Sequence, residues 1–155
     1  MGSTAPLGVS WLPLSVSLVS AVVVQVACQA FKVVFYSIRE RRLAFSRFIS
    51  AGGMPSAHAA FVTSLSVSVG LWNGLRSEVF AVACVFSLII AYDAWRLRGA
   101  VQDQARALQR LLDIHPEVKV AALNENLGHS LPEIGAGLVV GGGASALIYV
   151  LLRGL

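Results

Sequence analysis

The sequence predicts an all-α integral membrane bundle of about four spans plus one amphipathic helix, forming a single domain over residues 1–155. Apolar residues make up 56% of the chain and charged residues only 13%. Soluble domains carry about a quarter charged residues, so this chain has too few to cover a globule in water. The apolar residues also fall in long runs, with most of the cations at the ends of those runs.

The first apolar run, residues 11–36, is long enough to cross a bilayer, which takes about 20 residues. Gln25, Gln29 and Lys32 follow one another in it at i, i+4, i+7 spacing and therefore share one helix face. Because polar groups that face lipid are costly, we expect this face to point into the protein.

Two shorter apolar runs, 57–72 and 79–95, are separated by the turn signal Asn73-Gly74. Both are short for full spans, so a tilted or partly re-entrant hairpin is compatible with them. Their serine, threonine and other small residues favour close helix packing in lipid.

Residues 100–112 have the periodicity of an amphipathic helix, with Val101, Ala105 and Leu108 on its apolar face. We expect this helix to lie on the membrane surface or to cover a site there. The last apolar run, 134–152, carries no charged residue and predicts the fourth span.

Ten of the twelve Lys and Arg residues lie on one side of these spans. Five fall between Lys32 and Arg47 and five between Arg96 and Lys119, whereas the opposite side has only Arg76 and the C-terminal Arg153. The positive-inside rule then places the basic side in the cytoplasm or its equivalent and both termini outside. The sequence predicts a multi-pass membrane protein but does not indicate which membrane holds it.

Polar residues from all four predicted spans meet at this basic side. They lie at helix ends: Lys32, Ser56, His58, Asp93, Arg96, Arg98, His129 and Glu133. Two of these ends are helix N-termini, whose free N–H groups and positive dipole bind phosphate readily. Histidine can act as a nucleophile or a general acid near neutral pH, so the combination predicts a site for a phosphate ester.

Three strings at this side resemble the divergent branch of the type 2 phosphatidic acid phosphatase family, which is related to bacterial acid phosphatases and vanadium haloperoxidases. They are Gly52-Gly53-Met54-Pro55-Ser56-Ala57-His58, Tyr92-Asp93-Ala94 and Leu127-Gly128-His129-Ser130. The resemblance extends from about Gln29 to Gly141. It implies a membrane helical bundle with lipid-phosphate phosphatase activity.

The superfamily motifs KxxxxxxRP and PSGH are partly kept. Lys32 and Arg39 have the first spacing, with Glu40 in place of proline. The second motif reads Pro55-Ser56-Ala57-His58, with Ala57 in place of glycine.

The third motif, SRxxxxxHxxxD, is matched by His129 and Glu133, with Glu in place of Asp. Leu123 stands where this motif has arginine, and Arg98 and Arg47 are the two candidates to replace that cation. The gap between the two motif histidines is also longer than is usual for the superfamily.

The resemblance implies a role for each matched residue. His129 would attack phosphorus and form a phosphohistidine, Glu133 would orient it, and His58 would protonate the leaving alcohol. Lys32, Arg39 and the backbone near Ser56 would hold the phosphate oxygens, where charge builds in the transition state. The scheme needs no metal ion and no cofactor.

The same residues also have structural interpretations. Ser130-Leu131-Pro132-Glu133 is a capping box with proline in the first turn, and Ser56 has the position of an N-cap. Asp93 needs a partner in its apolar run, so a structural ion pair is as compatible with the sequence as a catalytic role.

The proposed partners are the membrane and a phospholipid or lipid phosphate. Nucleic acid is not expected, because the cations adjoin apolar runs and no aromatic residues are interleaved with them. The alternative function is a non-catalytic membrane protein that binds anionic headgroups or scaffolds partners. Four short spans bury little surface, which is compatible with a homo-oligomer.

Overall fold

The computed structural model describes residues 14–41, 43, 48, 53–115, 117–118 and 129–154. Within these ranges the chain is helical and forms no β-strand, which confirms the predicted all-α class. The elements follow in this order: α1 (Val16–Glu40), α2 (Ala57–Asn73), α3 (Glu78–Tyr92), a π-helical segment (Asp93–Leu97), α4 (Arg98–Ile114) and α5 (Leu131–Arg153).

Serine side chains cap the starts of α1, α2 and α3. The hydroxyl oxygens of Ser15, Ser56 and Ser77 each accept a hydrogen bond from the N–H group three residues further on. At the start of α5, the Glu133 carboxylate accepts a hydrogen bond from the Ser130 N–H over 2.9 Å. These bonds satisfy donors that a helix leaves unpaired, so they fix where each helix begins.

Three of the described helices are long and apolar enough to cross a membrane: α1, the continuous helix Glu78–Ile114, and α5. The protein is therefore an integral, multi-pass membrane protein. α2 has 17 residues, or about 26 Å, which is slightly less than a hydrocarbon core of about 30 Å. With α2 the bundle contains the four helices that the sequence predicts; residues 11–13 of the first predicted span lie outside the described ranges.

The segments predicted as a third span at 79–95 and a separate amphipathic helix at 100–112 form one continuous helix. No proline lies between them, and the single Gly99 is tolerated within a helix. The whole helix has 37 residues, so it is about 55 Å long, much longer than the hydrocarbon core is thick. α4, which has no buried residue, therefore extends out of the membrane on the basic side.

Helix α2 lies between the other spans and packs against α1, α3 and α5. Three of its serines each contact a serine of a different neighbour: Ser64 with Ser145 of α5, Ser66 with Ser87 of α3, and Ser68 with Ser17 of α1. Small residues with hydroxyl groups let helices approach closely in lipid and hydrogen-bond across the interface. α2 therefore holds the bundle together from its centre.

Helices α2 and α5 run parallel and approach each other most closely along one ridge, which we call the α2–α5 seam (Ser56, Ala60 and Ser64 against Gly137, Gly141 and Ser145). A Cβ on Gly137 would lie 2.5 Å from the Ser56 carbonyl oxygen, and one on Gly141 would overlap the Ala60 backbone. The paired positions keep a constant sequence offset of 81 residues. The N-termini of both helices therefore lie at the same, basic end of the bundle.

Candidate active site

Two backbone hydrogen bonds join the helix ends at the basic end of the bundle. The Ser56 N–H donates to the Glu133 carbonyl over 2.9 Å, which links the start of α2 to the first turn of α5. The His129 N–H donates to the Ala94 carbonyl over 3.3 Å, which links the residue before α5 to the π segment. Three segments that are distant in sequence therefore lie side by side.

His129 is 4% exposed and is held by Glu133. Its Nδ1 lies 3.3 Å from Glu133 Oε2, the same oxygen that accepts the Ser130 N–H. An ionised carboxylate only accepts hydrogen bonds, so this contact assigns the ring hydrogen to Nδ1 and a lone pair to Nε2. His129 Nε2 is buried and has no hydrogen-bond partner among the described residues. Glu133 thus caps α5 and orients this ring at the same time.

The ring of His58 lies beside that of His129, with 6.3 Å between the ring centroids and 61° between the ring planes. His58 Nδ1 is also buried and has no hydrogen-bond partner in the described part of the chain. Buried polar atoms are nearly always paired, so two such nitrogens in neighbouring rings make this end of the bundle the candidate site. A group held between the rings could contact both.

The environment of His129 favours its neutral form. Burial lowers the pKa of the imidazole below its ordinary value, and the hydrogen bond and charge of Glu133 oppose this shift. The positive charges of Lys32 and Arg98 lower the pKa further. A neutral imidazole with a free Nε2 lone pair is the form that can act as a nucleophile.

Lys32 lies at this end of the bundle and is only 1% exposed. Its charge acts on Glu133, His58 and His129. Lys32 thus supplies a buried cation next to the histidine pair, at the position that the sequence predicts for it.

Asp93 and Arg98 form an ion pair across the π segment, with 3.1 Å between Arg98 Nε and Asp93 Oδ2. Both side chains are about one-third exposed, so the pair adds little to stability. The charges of both residues act on His58, and that of Arg98 also acts on His129. The ion pair therefore gives the Asp93 carboxylate the partner that it needs. It also holds the Arg98 cation near the two rings.

Ser56 and Arg39, the other two candidate residues, lie at the edge of the group of polar residues around the histidine pair. The hydroxyl of Ser56 is used by the cap of α2 and its N–H by the bond to Glu133, so neither group is available to a ligand without rearrangement. Arg39 is exposed in the last turn of α1 and lines a groove with Met54 and Pro55.

A sequence model described as the Divergent PAP2 family matches residues 15–144, which cover the bundle from the start of α1 to the middle of α5. The chain belongs to the Divergent PAP2 family.

A relative in Bacillus subtilis (strain 168), described as the uncharacterized membrane protein YuiD, is 39% identical over 95 residues. The match covers 61% of this chain and 60% of the relative. No solved structure matches the chain.

The structure of this Divergent PAP2 family member brings Lys32, His58, His129 and Glu133 together, with Arg98 nearby. Leu123, at the position of the motif arginine, and the candidate cation Arg47 lie outside the described residues. No three His, Cys, Asp or Glu side chains are grouped as metal ligands in the described ranges. Gly137 and Gly141 were not predicted to position the site, although their small-xxx-small spacing with Ser145 is a known signal for close helix packing.

Proposed function

We propose that this protein is a lipid-phosphate phosphatase that hydrolyses a phosphate monoester through a phosphohistidine. The observation that supports this most directly is His129 Nε2, which is buried and lacks a partner among the described residues, while Nδ1 is held by Glu133. The neighbouring His58 ring, whose centroid lies 6.3 Å from that of His129, provides a second buried nitrogen without a partner among the described residues. Membership of the Divergent PAP2 family is compatible with this chemistry.

In the first step, the lone pair of His129 Nε2 attacks phosphorus and the bond from phosphorus to the ester oxygen breaks. Protonated His58 gives its proton to the departing oxygen, so the alcohol leaves neutral. Glu133 stabilises the positive charge that develops on His129. Lys32, Arg98 and the first-turn N–H groups of α2 would stabilise the negative charge that the phosphoryl oxygens gain.

In the second step, water attacks the phosphorus of the phosphohistidine and gives a proton to His58. The bond from phosphorus to nitrogen breaks, inorganic phosphate leaves, and both histidines return to their starting forms. The two steps use this chain's own side chains together with water.

The test uses the purified full chain in detergent, with phosphatidic acid and para-nitrophenyl phosphate as substrates. We expect phosphate release from both, and His129→Ala should lower kcat by at least about 10⁴-fold, as loss of a nucleophile does in other enzymes. Intact mass spectrometry should detect a phosphoryl adduct that His129→Ala lacks. The matched control is His115→Ala, because His115 is exposed at the far end of α4 and pairs only with Glu117 among the described residues.

The alternative is a non-catalytic protein that binds anionic headgroups, and the observation that favours it is Leu123 in place of the motif arginine. Retained binding of phosphatidic acid without phosphate release from either substrate would establish this alternative and reject the phosphatase. Equal turnover by His129→Ala and the unaltered protein would reject the phosphohistidine.

A further inference from the structure

Helix α4 carries an apolar strip that stays exposed in the described part of the chain. Within that part, α4 has no buried residue, and its extensive contacts are with the π segment that it continues. The strip, which we call the α4 seam, consists of Leu97, Val101, Gln104, Leu108 and Leu111. Its four apolar side chains are between 42% and 60% exposed. An exposed apolar strip outside the hydrocarbon core marks an interaction site.

The α4 seam has the spacing of a coiled coil. Its members are separated alternately by four and three residues, so they recur every 3.5 residues, which is the repeat of helices that wind around one another. Val101 and Leu108 take the a positions of this repeat, while Leu97, Gln104 and Leu111 take the d positions. The seam therefore fits another helix of the same repeat.

Gln104 distinguishes a helix from a lipid surface as the partner. It lies in the middle of the seam, between Val101 and Leu108. Against lipid its amide would face hydrocarbon without a hydrogen-bond partner, which is costly. Between two identical parallel helices it faces its own equivalent, and each amide can donate to the other and accept from it. A single polar residue in a coiled-coil seam specifies the register of the pair in this way.

The charges of α4 also fit a second copy better than an anionic membrane surface. Segments that bind anionic headgroups by charge have a cluster of about four to eight Lys or Arg residues. The charged side chains of α4 are three arginines and two aspartates, with a net charge of +1: Arg98, Arg106, Arg110, Asp103 and Asp113. None of them lies in the seam, so two copies do not repel each other there.

The topology brings two copies of the seam together. Because α4 continues a membrane-spanning helix, it extends away from the lipid, and its 17 residues rise about 26 Å. Every copy in one membrane has its α4 on the basic side and at the same height. Two neighbouring copies therefore present their seams parallel and in register without any change of orientation.

We infer that the α4 helices of two copies pair through the α4 seam as a parallel coiled coil, so the protein is a homodimer joined on the basic side of the membrane. Valine at an a position and leucine at d positions favour two strands. The inference goes beyond the proposed function and does not depend on it, because it concerns a surface outside the candidate active site.

The first experiment is disulfide cross-linking of the full chain in the membranes of the cells that produce it. Gln104→Cys brings the thiols of two copies face to face across the seam. Arg106→Cys is the matched control, because position 106 is also exposed but lies on the opposite side of α4. We expect an oxidised dimer from Gln104→Cys, and from Arg106→Cys only the background that Cys28 and Cys84 give in the unaltered protein.

The second experiment measures the equilibrium between monomer and dimer by native mass spectrometry of the purified full chain in detergent. Leu108→Glu puts a charge into the seam, whereas Arg110→Glu puts the same side chain on the exposed opposite side. We expect Leu108→Glu to raise the Kd of the dimer at least about tenfold and Arg110→Glu to leave it unchanged. Gln104→Leu should lower the Kd, since a polar seam residue sets the register at a cost in stability.

Three results would overturn the inference. The first is equal cross-linking of Gln104→Cys and Arg106→Cys. The second is a dimer that Leu108→Glu leaves intact, which would place the contact between copies elsewhere. The third is a protein that stays monomeric and whose α4 amides gain protection from hydrogen exchange only in vesicles of dioleoyl phosphatidylglycerol, which would identify lipid as the partner of the seam. Phosphate release enters none of these readouts, so the proposed hydrolysis can fail while the dimer stands.

Discussion

The α2–α5 seam and the histidine pair at its end belong to the same two helices but follow opposite rules. Along the seam, the backbones approach so closely that Gly137 and Gly141 have no room for a Cβ, and the Ser145 hydroxyl donates to the Ser64 carbonyl. At the basic end, His58 Nδ1 and His129 Nε2 are buried without a partner among the described residues. The paired part fixes the geometry, and the unpaired part is where we propose that the chemistry takes place.

One ridge of α5 both packs against α2 and positions the histidine pair. His129, Glu133, Gly137, Gly141 and Ser145 recur at every fourth position, so they lie along one face, with His129 just before the helix begins. Close contact at the glycines holds α5 against α2 in a single register. That register places His129 beside His58, so the contacts that stabilise the bundle also position the two rings.

The seam can be broken by Gly141→Leu, for which we expect the largest effect on the fold. Any side chain at this position meets the Ala60 backbone, which cannot rotate away, so the helices must separate. We expect a loss of at least about 3 kcal/mol in the free energy of unfolding in detergent, at the upper end of overpacking effects. Phosphate release and lipid binding should be lost with the fold.

Gly143→Leu is the matched control, because nothing lies within 4 Å of a Cβ at that position. It should change the free energy of unfolding by no more than about 0.5 kcal/mol, as exposed substitutions usually do. Equal destabilisation by the two variants would show that the close approach at Gly141 does not hold the bundle.

Much of this contrast could be predicted from the sequence, because it depends on hydropathy and charge. The apolar runs predict the spans, and the charge asymmetry places His58 and His129 at the same membrane face. Ser56 and Glu133 carry local capping signals that the structure contains. The convergence of the helix ends thus follows from topology alone.

The remaining features depend on tertiary packing, which local patterns do not encode. Residues 92–100 contain no strong helix breaker, yet separate elements were expected there because the composition changes from apolar to polar. The groove that Arg39 lines lies between α1 and α5, and it exists because both helices pack against α2 and stay apart from each other. An ion-pair partner for Asp93 was expected from the sequence, but the π segment between Asp93 and Arg98 was not.

At the histidine pair, Glu133→Gln removes the negative charge beside His129 while keeping the shape of the side chain. It therefore separates the part of Glu133 that caps α5 from the part that acts on His129. The amide oxygen can still accept the Ser130 N–H, so α5 stays capped and the thermal stability should change little. We expect kcat to fall at least roughly 10- to 100-fold, the range found when the hydrogen-bonding partner of a metal-bound histidine is altered. A large loss of stability would instead identify Glu133 as mainly a cap.

The pH profile of the same variant checks the electrostatics. The first step needs His129 neutral and His58 protonated. The acid limb of the profile reports His129, because the rate should fall as the pH drops through the pKa of this group. Burial lowers that pKa, so the acid limb should lie below the ordinary value of about 6.5. Because Glu133 raises the pKa, Glu133→Gln should move the limb to still lower pH. A limb above 6.5, or one that moves upward in the variant, would contradict this assignment.

The smallest expected effects are those of the serines in the seam. Ser64→Ala removes one hydroxyl contact, while Ser145 keeps its bond to the Ser64 carbonyl at 2.9 Å. Ser145→Ala removes both bonds. Hydrogen bonds between membrane helices contribute about 0.6 kcal/mol on average, so unfolding in detergent should show a loss near that value for Ser64→Ala and a larger one for Ser145→Ala. Turnover should be unchanged in both, because the glycine contacts keep the register. A variant that folds normally but has lost turnover would show that the serines, and not the glycines, set the position of His129.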